Sequence, residues 1–230
     1  MKKHYLFLAN ILIVALIFSA CSAKIDTPIT DESAQAPITP KLNNTFITSF
    51  GKVNAITYPP FMFDYSDNWE ISENDVNANQ EIITLKNDRG VKITFSHLSG
   101  SIFGGGSAVS MSRVDVSKVA DSNFVPGYVQ ATDHSKLGTF MVAKLKVTGT
   151  LDMKTDTDFK AVDGSTAYAV IPVSRIGTDD TVRHSYIAEY GFDYSGRISF
   201  ISESPDGNFA EAEEREIIAI LQSFRLNQEG

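Results

Sequence analysis

The stretch EIITLKNDRGVKITFSH, residues 81–97, decides the fold class. Val91, Ile93 and Phe95 alternate with Lys92, Thr94 and Ser96, and Ile83 and Leu85 alternate likewise before the cluster Asn87-Asp88-Arg89-Gly90. Side chains of a strand point to opposite faces in turn, so a period of two sets an apolar face against a core. Two such runs around a turn cluster predict an antiparallel hairpin with a slightly long loop.

The same rule extends outward along the chain. Over residues 139–151, Ala143, Leu145 and Val147 share one face and Lys144, Lys146 and Thr148 the other, which predicts another strand. Residues 167–173 predict a further one, at an edge or bulged, because Pro172 donates no ladder hydrogen bond. Tyr186, Ala188 and Tyr190, the turn Asp193-Tyr194-Ser195-Gly196, and Ile198 with Phe200 predict a second hairpin over 185–202. The period then changes. In FAEAEEREIIAILQSF, residues 209–224, Ala210, Ile217, Ile220, Leu221 and Phe224 fall at helical spacing, with Asn208 as the expected N-cap and acids in the first turns. Val116, Val119 and Ala120 in DVSKVADSNF predict a shorter helix closed by Pro126-Gly127. Strands followed by a terminal amphipathic helix indicate an α+β fold, an antiparallel sheet flanked by helices.

Three places bear a family resemblance. Phe63-Asp64-Tyr65-Ser66-Asp67-Asn68-Trp69 resembles the opening F-x-Y-P-x-x-W of PsbP-like domains, with Ser66 where the family has proline. Val162-Asp163-Gly164 with Ala167-Tyr168 is similar to their central D-G-x-x-A-Y, and Ser223-Phe224 to the S-F that ends their last helix. The resemblance runs over roughly residues 50–226 and implies an αβα sandwich. Its motifs have packing roles, so it implies architecture and no activity. Trp69, the single tryptophan, is expected to anchor the core, and Gly164 to take a turn conformation costly for other residues.

The chain before this domain has a different composition. Lys2 and Lys3 precede an apolar run from Leu6 to Phe18, followed by Ser19-Ala20 and by Cys21, the only cysteine. That order is a secretory signal peptide over residues 1–20, too short to span a membrane. Ser19-Ala20-Cys21 resembles a bacterial lipobox, with Phe18 where leucine is usual, which implies a diacylglycerol on the Cys21 sulfur. Two acyl chains meet the requirement for stable anchoring. Residues 21–44, with Pro28, Pro37 and Pro40, form a tether with a reach of roughly 25 Å, and residues 45–230 form a single domain. The expected location is extracytoplasmic, on the cell membrane or an outer membrane.

Removing Lys2 and Lys3 from the 20 basic residues leaves 18 against 28 acidic ones, a net charge of −10. Such a surface excludes nucleic acid held through a basic patch. Chemistry-bearing candidates are few, and none calls for a cofactor. His97, His134 and His184 lack metal-ligand spacing, although His97 and His184 can meet at a sheet edge. Asp152, Asp156, Asp158 and Asp163 concentrate oxygen ligands suited to a hard cation, yet Ala161 and Ala167 stand where an EF-hand requires Gly and Glu. Gly104-Gly105-Gly106-Ser107 lacks the lysine of a phosphate loop and is left as a loop able to cover a ligand. There is no G-x-S-x-G nucleophile elbow. Phe61, Phe63 and Tyr65 in TYPPFMFDY share a face, expected to be core, with a partner-binding aromatic edge as the alternative. The expected role is a non-catalytic, lipid-anchored module binding an envelope protein or component. The alternative is a small-ligand or cation receptor, or an enzyme, using the Gly-rich loop and nearby His and Asp residues.

Overall fold

The computed structural model describes residues 39–53, 60–99, 110–129, 132–182, 190–194 and 196–227. In chain order the strands are β1 (Asn44–Ile47), β2 (Phe61–Tyr65), β3 (Glu70–Val76), β4 (Gln80–Lys86) and β5 (Lys92–Leu98). They continue with β6 (Ser110–Asp121), β7 (Tyr128–Val129), β8 (Thr132–Asp133), β9 (Phe140–Asp152) and β10 (Lys160–Ala161). The last are β11 (Thr166–Pro172), β12 (Gly177–Val182), β13 (Phe192–Asp193), β14 (Arg197–Glu203) and β15 (Arg225–Leu226). Ten of them form one sheet in the order β12-β6-β9-β11-β14-β5-β4-β3, with β10 on β9 and β13 on β14. β1, β2 and β15 make a separate three-stranded sheet.

This corrects the expected α+β sandwich of PsbP-like type. The chain is mostly β, and a large antiparallel sheet replaces a sheet flanked by helices. Among the described residues the α-helices are one turn, Phe50–Val53, and the C-terminal helix, Glu211–Gln222. None is long and apolar enough to cross a membrane. The helix expected around Val116 is part of β6, a twelve-residue strand. A register shift between Lys118 and Ala120 explains the misreading. A bulge turns the following residues to the other face, so Val116 packs in one core and Ala120 against the other. Apolar residues then fall three and four apart without a helix.

The predicted hairpin forms, with Gln80 opposite Leu98 and Lys86 opposite Lys92. Its five-residue loop closes through Gly90, whose φ of 84° favours glycine. The second hairpin is a two-residue stub, Phe192–Asp193 against β14, within the described residues. β11 lies inside the sheet between β9 and β14, against expectation. Pro172 is its last residue, and the next ladder donor is Val173, whose N–H reaches the Thr139 carbonyl at 2.9 Å. A proline at a strand end removes no interior bond.

One face of the large sheet carries the C-terminal helix and β2. Ile217, Ile220 and Leu221 are buried there with Phe61, Phe63, Phe95, Phe200 and Phe224. Each such side chain contributes about 1.5–3 kcal/mol by leaving water. Phe61 and Phe63 are therefore core, with Tyr65 packed at their margin. Trp69 is buried as expected, and its Nε1–H donates to Glu216 of the helix at 2.9 Å. The N-cap of the helix is Ala210, not Asn208; Asn208 belongs to the preceding turn, its N–H bonded to Asp206. Glu213 accepts the Ala210 N–H at 2.8 Å and binds Arg89, which ties helix, hairpin loop and turn together. The opposite face of the sheet holds a second core of Val114, Val116, Met141, Ala143, Leu145 and Ile201. Both edge strands carry acids, Glu70, Glu73 and Asp75 on β3 and Asp179 and Asp180 on β12, which discourages pairing with another chain.

Candidate functional site

Two carboxylates, one buried and one half-buried, mark two places where the sheet carries unusual chemistry. The first is Glu81 on β4, on the helix-bearing face. The period-two pattern that buries Ile83, Leu85, Ile93 and Phe95 continues to Glu81 and His97, which stand opposite each other in register and are fully buried. The Glu81 carboxylate accepts the Phe50 N–H at 2.8 Å, the Ser49 N–H at 2.8 and 3.0 Å, and the Ser49 hydroxyl at 3.3 Å. It therefore caps the turn Phe50–Val53, and Phe50 lays its ring 4.3 Å from that of His97. Burial pushes the Glu81 carboxyl above its ordinary range, and the donated hydrogen bonds pull the other way.

The second is Glu203, the last residue of β14, on the opposite face. It borders an open cleft of about 450 Å³ together with Ser112, Val147, Thr150, Gly164 and Ser165. The register explains the cleft's polarity. Ser112 of β6 pairs with Thr150 of β9 on one side and with Thr181 of β12 on the other. Residues directly opposite in an antiparallel pair share a face, so three hydroxyls form a row across three strands. Ser112 and Thr181 are buried, and the Thr181 Oγ1 has no hydrogen-bond partner among the described residues.

Close packing forms the floor. A Cβ on Gly164 would lie 2.8 Å from the Cβ of Val147, and Lys146 Nζ donates to the Gly164 carbonyl at 2.7 Å. Gly164 is thus required by close approach, and not by the left-handed turn conformation that its place before a strand predicts. The Thr166 N–H donates to the Gly207 carbonyl at 2.8 Å, which fastens this segment to the turn after β14. Glu203 itself receives no hydrogen bond and no ion pair among the described residues. Burial raises its carboxyl above the ordinary range, with the charge of cross-strand Lys92 opposing.

The sequence candidates fall elsewhere. Asp156 pairs with Lys160 at 2.6 Å and accepts the Asp152 N–H at 3.0 Å. Asp163 pairs with Lys146 at 2.7 Å, Asp152 accepts the Lys154 N–H at 2.9 Å, and Asp158 meets Thr157. These acids are each engaged locally, and no group of three metal-ligating side chains converges among the described residues. His134 lies 4.5 Å from the Tyr194 ring. Cys21, the glycines 104–106 and His184 lie outside the described residues. Glu203, Ser112, Thr150 and Thr181 carry no local motif; the strand period assigns each a face, and only the pairing register aligns them. Compared with family models, curated proteins and solved structures, the chain matches none.

Proposed function

We propose that this protein is a lipid-anchored, extracytoplasmic binding domain that holds a small polar ligand, without transforming it, in the cleft beside Glu203. The observation that carries the reading is a half-buried carboxylate left without an internal donor at a cleft of about 450 Å³, a volume within the usual range for small-ligand sites. Val147 supplies apolar contact, and Ser112, Thr150 and Ser165 supply orienting hydroxyls. No hydrogen bond links Glu203 to any of these hydroxyls among the described residues, so the site has acceptors and donors for recognition and no nucleophile paired with a base. Anchoring is supported by the signal-like start and Cys21, which would hold the domain at the membrane through its lipid.

The test has two arms. Mass spectrometry of protein from its native host should find an amino-terminal Cys21 carrying diacylglycerol; a bare thiol or an intact leader removes the anchoring. Thermal denaturation with a small-molecule extract of the host envelope should raise Tm, since a ligand that binds only the folded state stabilises it. A Gly164→Val variant, which fills the floor, should lose that rise, with Val125→Ser, an exposed position outside the cleft lining, as the control that keeps it. An unchanged response in Gly164→Val overturns the cleft assignment.

A further inference from the structure

We infer that the cleft selects a small organic cation, a protonated amine on a hydroxyl-bearing scaffold, with Glu203 as its counter-ion and the row Thr150–Ser112 as its hydroxyl partners; this rests on the cleft being the binding site. Half-buried acids elsewhere in the domain have partners from the chain itself. Glu213 has Arg89, Glu214 has Lys144 and the Tyr168 hydroxyl, Glu216 has Trp69 and Asn68, and Asp64 has Arg225. Glu203 is the exception among them, and it faces open volume. Removing a carboxylate from water without a donor is costly, and the cost is recovered only when a donor arrives.

The donor must be cationic rather than neutral. A charge-assisted bond to a carboxylate is roughly twice as strong as a neutral one, and a chain of net charge −10 after leader removal draws cations and repels anions. A divalent metal fits less well, because calcium takes six to eight oxygens, usually with several carboxylates, and here one carboxylate stands among hydroxyls. The nearest internal cation, Lys92, stands opposite Glu203 in register yet is exposed and makes no ion pair with it.

The test compares glucamine with sorbitol, which share a six-carbon polyol and differ by one amine in place of one hydroxyl. Titration calorimetry on the lipidated mature chain in detergent, at pH 7.5 and low salt, should show glucamine binding at least ten-fold more tightly than sorbitol. Glu203→Gln should abolish that preference while leaving Tm equal or higher, because no internal bond is lost. Lowering the pH to about 5 should weaken glucamine, since the carboxyl charge falls in that direction. Equal binding of the two probes, unaltered by Glu203→Gln, overturns the cation selectivity and leaves the cleft reading standing. Glucamine binding that survives both Glu203→Gln and Gly164→Val overturns both, as does the absence of binding by glucamine together with no Tm shift from envelope extract. If Lys92→Gln lowers Tm as far as Glu203→Gln does, Glu203 is the structural partner of Lys92 and the inference falls.

Discussion

Glu81 and Glu203 are the same residue type on neighbouring parts of one sheet, both pushed toward the neutral form by burial, yet their surroundings are opposites. Glu81 is enclosed and accepts every donor offered by Ser49 and Phe50. Glu203 opens on a cleft and accepts none from the described residues. A raised carboxyl alone therefore does not mark a binding site. What separates a structural acid from a ligand-binding one is whether the chain supplies the donors that burial demands.

The largest expected effect tests the structural half of this contrast. Glu81→Ala leaves the buried Phe50 N–H and the partly buried Ser49 N–H without their acceptor, a buried one costing about 1–3 kcal/mol, and should lower stability by about 2–4 kcal/mol in urea denaturation. An effect below about 1 kcal/mol would erase the distinction between the two acids. Next comes Gly164→Ala, whose Cβ would meet Val147 at 2.8 Å. Overpacking of this kind costs about 1–3 kcal/mol, measured as a fall in Tm, and it should also weaken ligand binding through the cleft floor. A fall in Tm with unchanged binding would detach the cleft from its floor.

Acid titration sharpens the comparison further. The Glu81 and Glu203 carboxyls are raised in the folded state, so their contribution is complete below the ordinary carboxylate range and is lost as pH rises through their raised values. Glu213, held down to about 2 chiefly by Arg89, and Asp206, held to about 2 chiefly by the Ser204 hydroxyl, behave oppositely. Their contribution is present above about pH 4.5 and is lost as pH falls toward 2. Stability should therefore be higher near pH 5 than near pH 8 and collapse toward pH 2, and Glu203→Gln should reduce the first difference, leaving the Glu81 share, without touching the second. The smallest effect belongs to Thr181→Val, which replaces a buried hydroxyl that has no partner among the described residues. Its stability should change by less than about 1 kcal/mol, in the stabilising direction; a larger loss would show that the hydroxyl row is already engaged.

Local pattern was enough for the hairpin 81–97, the strand over 140–152, the terminal helix and the burial of Trp69, because each depends on neighbours two to four residues away. It failed where a long-range partner changed the meaning of a residue. The alternation through Ile83, Leu85, Ile93 and Phe95 was visible, but not that it continues to bury Glu81 and His97, nor the donors from Ser49 and Phe50 that make a buried glutamate tolerable. The bulge in β6 imitated a helix, and with it went the expectation of helices on both faces. Pro172 was expected at an edge or a bulge because the strand was read as running on to Val173, whereas it ends at Pro172.

By itself, the order of residues determined that this chain is rich in amphipathic strands closed by one acidic-headed helix, and that its surface is negative. These properties are sums over single residues or short periods, which need no knowledge of what pairs with what. Only the tertiary structure decided that the strands join into one broad sheet with its helix on a single face, and that Thr150, Ser112 and Thr181 align across three strands. It also decided that Glu203 meets a cleft while Glu81 meets a cap. The reason is that a strand's period assigns each side chain a face, whereas strand order and register decide which side chains share a place on it.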